Sequence, residues 1–249
     1  MHDRGSKSFP TTRWTLILDL QGGSESQRER ALEELCQLYW FPIYGYVRQR
    51  GKSPEEAQDL TQSFFAQLLA GGGFERADAE KGKLRSYLLG AASRFIAKEW
   101  RRESAQKRGP GSPILSIDHA YAESRLAQDL VDGLTPEKAY DRRWAQTLLE
   151  GVAEALRCEY HARGRSRHHD LLSNYLFWNS GEPSYTEVAE TLGMTEAAVR
   201  QAVLRMRKRY GVLLRDHISF TVDHPDKIDD EVQELFAAFR RDSGGANSR

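Results

Sequence analysis

Arg200 and Gln201 stand side by side in the stretch Ser184 to Tyr210, where their chemistry is hydrogen bonding to nucleic-acid base edges. An arginine fork matches the acceptor edge of guanine, and a glutamine amide matches the mixed edge of adenine, both open in a major groove. Arg205, Lys208 and Arg209 lie further along the same helix and suit phosphates, which set affinity and register without reading sequence. Thr195, Glu196, Ala197 and Leu204 complete the outward face. Two helices crossing through a tight turn need a small residue at the crossing, here Ala189, and a left-handed turn residue, here Gly193. Thr195 is placed to cap the second helix. Val188, Leu192, Met194, Val199, Ala202, Val203 and Met206 then point inward at helical spacing. A plain helical hairpin with a solvated basic face would not need all four features in one register. The pattern therefore predicts a DNA-binding helix-turn-helix between Tyr185 and Arg209 whose second helix enters a major groove.

A second basic cluster, Lys98, Arg101, Arg102, Lys107 and Arg108, closes a separate predicted helix. The chain has 36 basic and 36 acidic residues, so its formal net charge is zero. Where the charges lie matters more than their sum. Acids crowd the tail at Asp223, Asp226, Asp229, Asp230, Glu231 and Glu234, and the two basic patches suit a protein that touches a polyanion twice.

The elements that must position these residues read as helices. Arg28 to Arg50 carries Ala31, Leu35, Leu38, Tyr39 and Tyr46 at helical spacing around Pro42, which is expected to kink or divide it, and Trp14 to Leu20 precedes it. Ser53-Pro54-Glu55-Glu56 is a helix start, with Ser as cap and an acid three residues on. That helix runs to about Leu69, and Gly71-Gly72-Gly73 opens a loop reaching Lys83. Leu84 to Arg102 is helical and basic toward its end. Gly109-Pro110-Gly111-Ser112-Pro113 starts a linker, and Thr135-Pro136-Glu137 starts the helix of a second domain, with Trp144, Leu148, Leu149, Val152 and Leu156 on one side. His161 to His169 reads as a polar break, Asp170 to Trp178 as a short apolar helix, and Val232 to Phe239 as a last helix. The expectation is an all-α chain of two small helical domains: 10–108, a linker at 109–136, a helix-turn-helix domain at 137–216 and an acidic extension at 217–249.

Apolar runs are broken by charge before membrane-spanning length and Met1 to Lys7 lacks a signal-peptide core, so a cytoplasmic protein without membrane contact is expected. Cys36 and Cys158 fall on apolar helix faces, which predicts buried free thiols. Cys158 and His161 have metal-like spacing, with His168 and His169 nearby, but no second cysteine pair completes a zinc site. No metal or cofactor is expected. With no phosphate-binding loop and no paired nucleophile and base, neither is an enzyme.

Several motifs together carry a family resemblance. Ala31 to Cys36, Tyr39-Trp40, Tyr44, and Ser53 to Gln62 with Phe64-Phe65 resemble the core of the second conserved region of extracytoplasmic-function sigma factors. Lys83 to Leu89 leading to Trp100-Arg101-Arg102 resembles that family's promoter-melting helix, and Ser184 to Tyr210 resembles its fourth region, which binds the −35 element. Arg142-Arg143-Trp144, Leu213-Leu214-Arg215 and the acidic tail look like a long-tailed subgroup.

The resemblance implies a factor that binds core RNA polymerase, recognises promoter DNA and directs transcription initiation. It implies docking onto polymerase through Glu56, Asp59, Gln62 and Phe65; a core stripe on a solvated helix is the alternative for these. It implies that the loop from Gly71 to Lys83, whose one aromatic is Phe74, captures an unstacked base of the −10 element. Lys83, Arg85, Arg94, Lys98, Arg101 and Arg102 would then line the single strand and its upstream duplex, with Trp100 either stacking on a base or packing. Gln58 stands where many members have an acid, and Thr61 sits in the same turn. Phosphorylation of Thr61 or a neighbouring hydroxyl by a Ser/Thr kinase would restore charge there. An anti-sigma factor would be a second kind of regulator, and the acidic tail, if it lies on the basic recognition helix when polymerase is absent, a third. The rival function is a free-standing helix-turn-helix repressor or activator that binds a two-fold operator without polymerase. An interaction protein whose basic faces bind only acidic partners is a third reading.

Overall fold

The computed structural model describes residues 19–70, 83–105, 134–176, 183–219, 221–222 and 224–240. Helices make up its regular structure, with no strand among the described residues, so the fold is all-α, as the hydrophobic periodicity predicts. In chain order they are α1 (Glu25–Gln49), α2 (Pro54–Ala70), α3 (Leu84–Ala105), α4 (Pro136–Ala162), α5 (Ser166–Leu172), a 3₁₀ turn (Ser173–Tyr175), α6 (Tyr185–Leu192), α7 (Glu196–Ser219), a second 3₁₀ turn (Pro225–Lys227) and α8 (Ile228–Ala237). Of the expected first helix, Trp14 to Leu20, residues 14–18 lie outside the described residues.

The chain divides into two compact units, one made of Met1–Thr147 with Ile218–Arg249, the other of Leu148–His217. In the first unit, α1 buries Ala31, Leu35, Leu38, Tyr39, Ile43 and Tyr44. Pro42 does not divide this helix, which is assigned unbroken from Glu25 to Gln49. A proline inside a helix costs about 3 kcal/mol. Trp40, Pro42, Ile43, Tyr44 and Tyr46 are all buried around it, and each fully buried large apolar side chain contributes about 1.5–3 kcal/mol, so packing outweighs the local defect. Helix α2 starts as predicted: Ser53 Oγ accepts the Glu56 N–H at 3.2 Å, and Glu56 Oε2 accepts the Ser53 N–H at 3.0 Å. Its Phe64 meets Phe65 and Phe95 of α3, with ring centroids 5.3 and 5.8 Å apart.

The first turns of α4 belong to this unit. Tyr140, Arg143 and Trp144 are all fully or almost fully buried, and Tyr140 Oη donates to the Arg85 carbonyl at 3.0 Å. The Arg143 guanidinium lies against Gly45 of α1, so close that an added Cβ there would sit 2.5 Å from its Cζ. Helix α8 packs in the same unit through Leu235 and Glu231, both 0% exposed.

These contacts correct the expected boundaries. The division falls inside α4, between Thr147 and Leu148, rather than in a linker at 109–136, and the described residues between 218 and 240 return to the first unit instead of standing apart. Along α4 the apolar positions recur without a break, so periodicity marks a buried face but not the point where the partner beneath it changes. Most of the expected linker lies outside the described residues.

In the second unit, Leu148, Val152 and Leu156 of α4, Leu172, Tyr175, Val188, Val199, Val203 and Met206 form the core. The predicted polar break after α4 is a turn at Gly164, whose φ of 66° is a left-handed conformation that glycine adopts without a Cβ clash. Helix α5 starts at Ser166, four residues before the expected Asp170.

Candidate functional site

The basic stretch near the C-terminus forms two helices joined through a short turn. Ser184 caps α6 reciprocally: its Oγ accepts the Glu187 N–H at 3.1 Å and Glu187 Oε2 accepts the Ser184 N–H at 2.9 Å. Gly193 ends α6 with φ 64° and ψ 33°, and the Met194 N–H returns to the Ala189 carbonyl at 2.9 Å. Thr195 Oγ1 accepts the Ala198 N–H at 3.2 Å and so caps α7. Val188, Ala189, Val199, Ala202, Val203 and Met206 are buried between the elements, while Leu192 and Met194 are half-buried.

Opposite this core, Thr195, Glu196, Ala197, Arg200, Gln201, Leu204, Arg205 and Lys208 are all exposed. Arg200 is held in place. Its Nε donates to Glu196 Oε1 at 3.2 Å, and its guanidinium lies 4.4 Å from the Tyr185 ring centroid. Tyr185 in turn stacks on Tyr175, 4.7 Å away at an interplanar angle of 10°. Tyr175 Oη donates to the Pro183 carbonyl at 2.5 Å, and the Tyr175 carbonyl accepts Arg207 Nε at 2.8 Å. Sequence reasoning missed this stack, because aromatic residues ten positions apart belong to no helical repeat.

Arg209 departs from its expected phosphate role. It is half-buried and its guanidinium grips Glu159 of α4, with Nε 2.9 Å from Oε2. The hydrogen bonds from Arg209 hold the Glu159 carboxyl below its ordinary range. Arg209 thus ties the second helix to α4, a fixing role that a run of basic letters does not distinguish from a binding one.

On α2, the expected polymerase residues separate. Glu56 and Asp59 are exposed, with Ser63 and Ala66 continuing their face. The Ser53 backbone N–H holds the Glu56 carboxyl below its ordinary value, with Lys52 adding to the effect. Gln62 and Phe65 are 8% and 5% exposed and lie on the buried side of α2, so neither is open to a docking partner in this conformation. Thr61 is also corrected: it is 0% exposed and its hydroxyl donates to the Ala57 carbonyl at 2.7 Å. A kinase cannot reach that oxygen while α2 is folded, and a phosphate there would be buried beside core side chains. Ser63 is the exposed hydroxyl in that turn.

Along α3, Arg94, Lys98, Trp100, Arg101 and Arg102 are exposed. Trp100 keeps 47% of its surface open, with Lys52 Nζ 6.0 Å from its ring centroid. Phe74 lies outside the described residues.

Lys83 and Arg85 behave differently from the rest of this set. Arg85 is 7% exposed and bonds Asp141 Oδ1 of α4 at 2.6 Å, Glu231 Oε1 of α8 at 2.9 Å and Glu234, with its guanidinium 4.8 Å from the Trp144 ring. Lys83 Nζ lies 2.5 Å from both Glu231 and Glu234. Burial opposes charge on Glu234, but Lys83 and Arg85 outweigh it and hold its carboxyl below the ordinary value. Neither cation is open to a DNA strand, and the acids of the tail that occupy them are at α3, in the first unit, rather than on the second helix of the basic pair. The sequence contained the charges but not the long-range pairing, which spans 146 positions for Arg85 and Glu231.

Of the two cysteines, Cys36 is half-buried and burial pushes its thiol up to about 11. Cys158 is exposed, contrary to expectation, and its thiol donates to Glu154 Oε1 at 3.4 Å. Among the described residues, no helix is long and apolar enough to cross a membrane.

Comparison with known families places one part of the chain. Residues 41–106, from the second half of α1 through α3, match the model of sigma-70 region 2. The match covers about a quarter of the 249 residues and supports a sigma-70 family factor that binds RNA polymerase. No curated protein and no solved structure matches the chain.

Proposed function

We propose that this chain directs transcription initiation by binding core RNA polymerase through its first unit and recognising promoter DNA at two places. Helices α1 to α3 would dock on the polymerase through the exposed acidic face of α2, with Glu56 and Asp59 in the lead. The exposed end of α3, Arg94, Lys98, Trp100, Arg101 and Arg102, would run along the separated strand and upstream duplex of the −10 element. Helices α6 and α7 would act as a helix-turn-helix on the −35 element, with Arg200 and Gln201 at base edges and Arg205 and Lys208 at phosphates. In this reading the chain works in the cytoplasm, as a member of the extracytoplasmic-function group with a long tail.

The observation that carries the proposal is the region 2 match over residues 41–106 in a chain that also presents an exposed, capped basic helix after a glycine turn. Phosphate contact by α7 alone would serve a repressor equally well. The upstream match is what favours initiation.

Run-off transcription with purified core polymerase on a selected promoter library tests the reading. A discrete transcript that requires the protein, with a heparin-resistant complex on the same promoter, is the expected result. No transcript above core alone, together with dimeric binding to a two-fold site, would establish the free-standing repressor instead.

A further inference from the structure

The exposed face of α7 holds a large apolar residue, Leu204, that neither charge nor hydrogen bonding accounts for. Leu204 is 56% exposed, while Val199, Val203 and Met206 of the same helix are 2% exposed or less. Single exposed leucines are common on protein surfaces. The position of this one is specific. At about 100° per residue, Leu204 lies roughly 40° around the helix from Arg200 and 60° from Gln201, between the two side chains suited to base edges. Ala197 lies about two turns before it on the same line, and Lys208 one turn beyond, so the midline of the face runs small, apolar, basic.

Arg200 cannot readily swing across this midline. Glu196 binds one edge of its guanidinium, and the Tyr185 ring covers its face at 4.4 Å, with Tyr175 stacked behind. The fork is thus fixed on one flank while the apolar surface of Leu204 stays open beside it. A rise of about 6 Å separates the two along the helix, enough to reach base pairs one or two steps apart.

In the major groove, the thymine methyl is the one apolar group on any base edge. We propose that Leu204 is a specificity-determining residue that recognises a thymine methyl one or two base pairs from a guanine read by Arg200. This inference rests on the proposed binding of α7 to promoter DNA and adds which base pairs it selects.

Replacing thymine by deoxyuridine in the duplex removes that methyl and nothing else. Holoenzyme assembled from core polymerase and the full-length chain would be titrated against its selected promoter with each upstream-element thymine replaced in turn, and with nearby guanines replaced by 7-deazaguanine. One methylene-sized group is worth about fourfold in affinity, so one uridine position should weaken binding by about that factor. With Leu204→Ala, that position should become indifferent to uridine, while sensitivity to 7-deazaguanine persists. With Arg200→Ala the pattern should reverse. Gln201→Ala should leave the uridine effect in place.

Wild-type holoenzyme indifferent to uridine throughout the upstream element, yet bound specifically, would overturn this inference and leave the proposed function standing. So would a uridine effect that survives in Leu204→Ala. No dependence of binding on the upstream element at all would overturn the assignment of α7 to DNA as well.

Discussion

Glu231→Gln, compared with Glu234→Gln, measures what the tail does for the first unit. Both carboxylates meet Lys83 and Arg85, but the Glu231 side chain is 0% exposed and that of Glu234 is 51% exposed. Removing one partner of a buried ion pair costs about 3–5 kcal/mol, because the other charge stays desolvated. Arg85 keeps Asp141 at 2.6 Å and Glu234, and a glutamine still accepts one hydrogen bond, so the lower end, about 3 kcal/mol, is expected for Glu231→Gln. Exposed pairs are worth about 0–1 kcal/mol, which sets the expectation for Glu234→Gln. The two substitutions remove the same charge from the same cations, so burial alone separates them. Urea titration followed by the fluorescence of tryptophan, including Trp144 beneath Arg85, reads the difference. With a slope of about 2 kcal/mol per molar, Glu231→Gln should lower the midpoint by about 1.5 M and Glu234→Gln by less than about 0.5 M. Equal shifts would refute the argument, since they would mean that the Arg85 cluster is not desolvated.

Gly45→Ala should destabilise the same unit by about 1–3 kcal/mol, because the Arg143 guanidinium that its Cβ would strike is itself 0% exposed; a thermal melt checks it. Ser184→Ala removes the acceptor for the Glu187 N–H and should cost about 1 kcal/mol in the second unit, measurable as faster amide exchange in α6. Glu56 should titrate below the usual carboxylate value in an NMR pH series, since Ser53 donates to its charged form. The stability it contributes is therefore present above its unfolded pKa and lost as pH falls through the lower folded one, so Glu56→Gln should matter at pH 6 and vanish near pH 2. Iodoacetamide at pH 8 should modify exposed Cys158 well before Cys36, whose thiol is raised to about 11; mass mapping of the products decides it.

What the sequence made legible was local. Ser53 and Ser184 reach their partners within one turn, and Gly193 needs a backbone conformation that its own type permits, so caps and turns follow from letters a few positions apart. The apolar stripe of α7 was legible for the same reason. Facing was less secure on α2, where Gln62 and Phe65 lie at the edge of a buried stripe and small rotations decide exposure. The fate of Lys83 and Arg85 was not legible at all. Nothing near them in the chain is complementary in the right geometry, and their acids arrive from α8 and, for Arg85, also from α4. The domain boundary failed similarly: a helix buried along its length gives one periodic signal even where its neighbours change.

The basic cluster of α7 shows why this distinction bears on function. Counting letters gives six cations, Arg200, Arg205, Arg207, Lys208, Arg209 and Arg215. If each neutralised a phosphate, the logarithm of affinity would fall with the logarithm of salt at a slope of about −5. The structure assigns several of them elsewhere: Arg209 to Glu159, Arg207 to the Tyr175 carbonyl, and Arg200 to the Tyr185 face beside the base-reading surface. Arg205 and Lys208 remain on the exposed face, so a slope of about −2 is expected for the upstream element. Lys208→Ala should flatten that slope by about one, whereas Arg209→Ala should leave it unchanged while weakening α7 against α4. Affinity measured over a range of salt concentrations separates the two variants even if both bind more weakly at any single one. If Arg209→Ala flattens the slope as much as Lys208→Ala, Arg209 leaves Glu159 for the phosphate on binding, and the paired geometry describes only the unbound state.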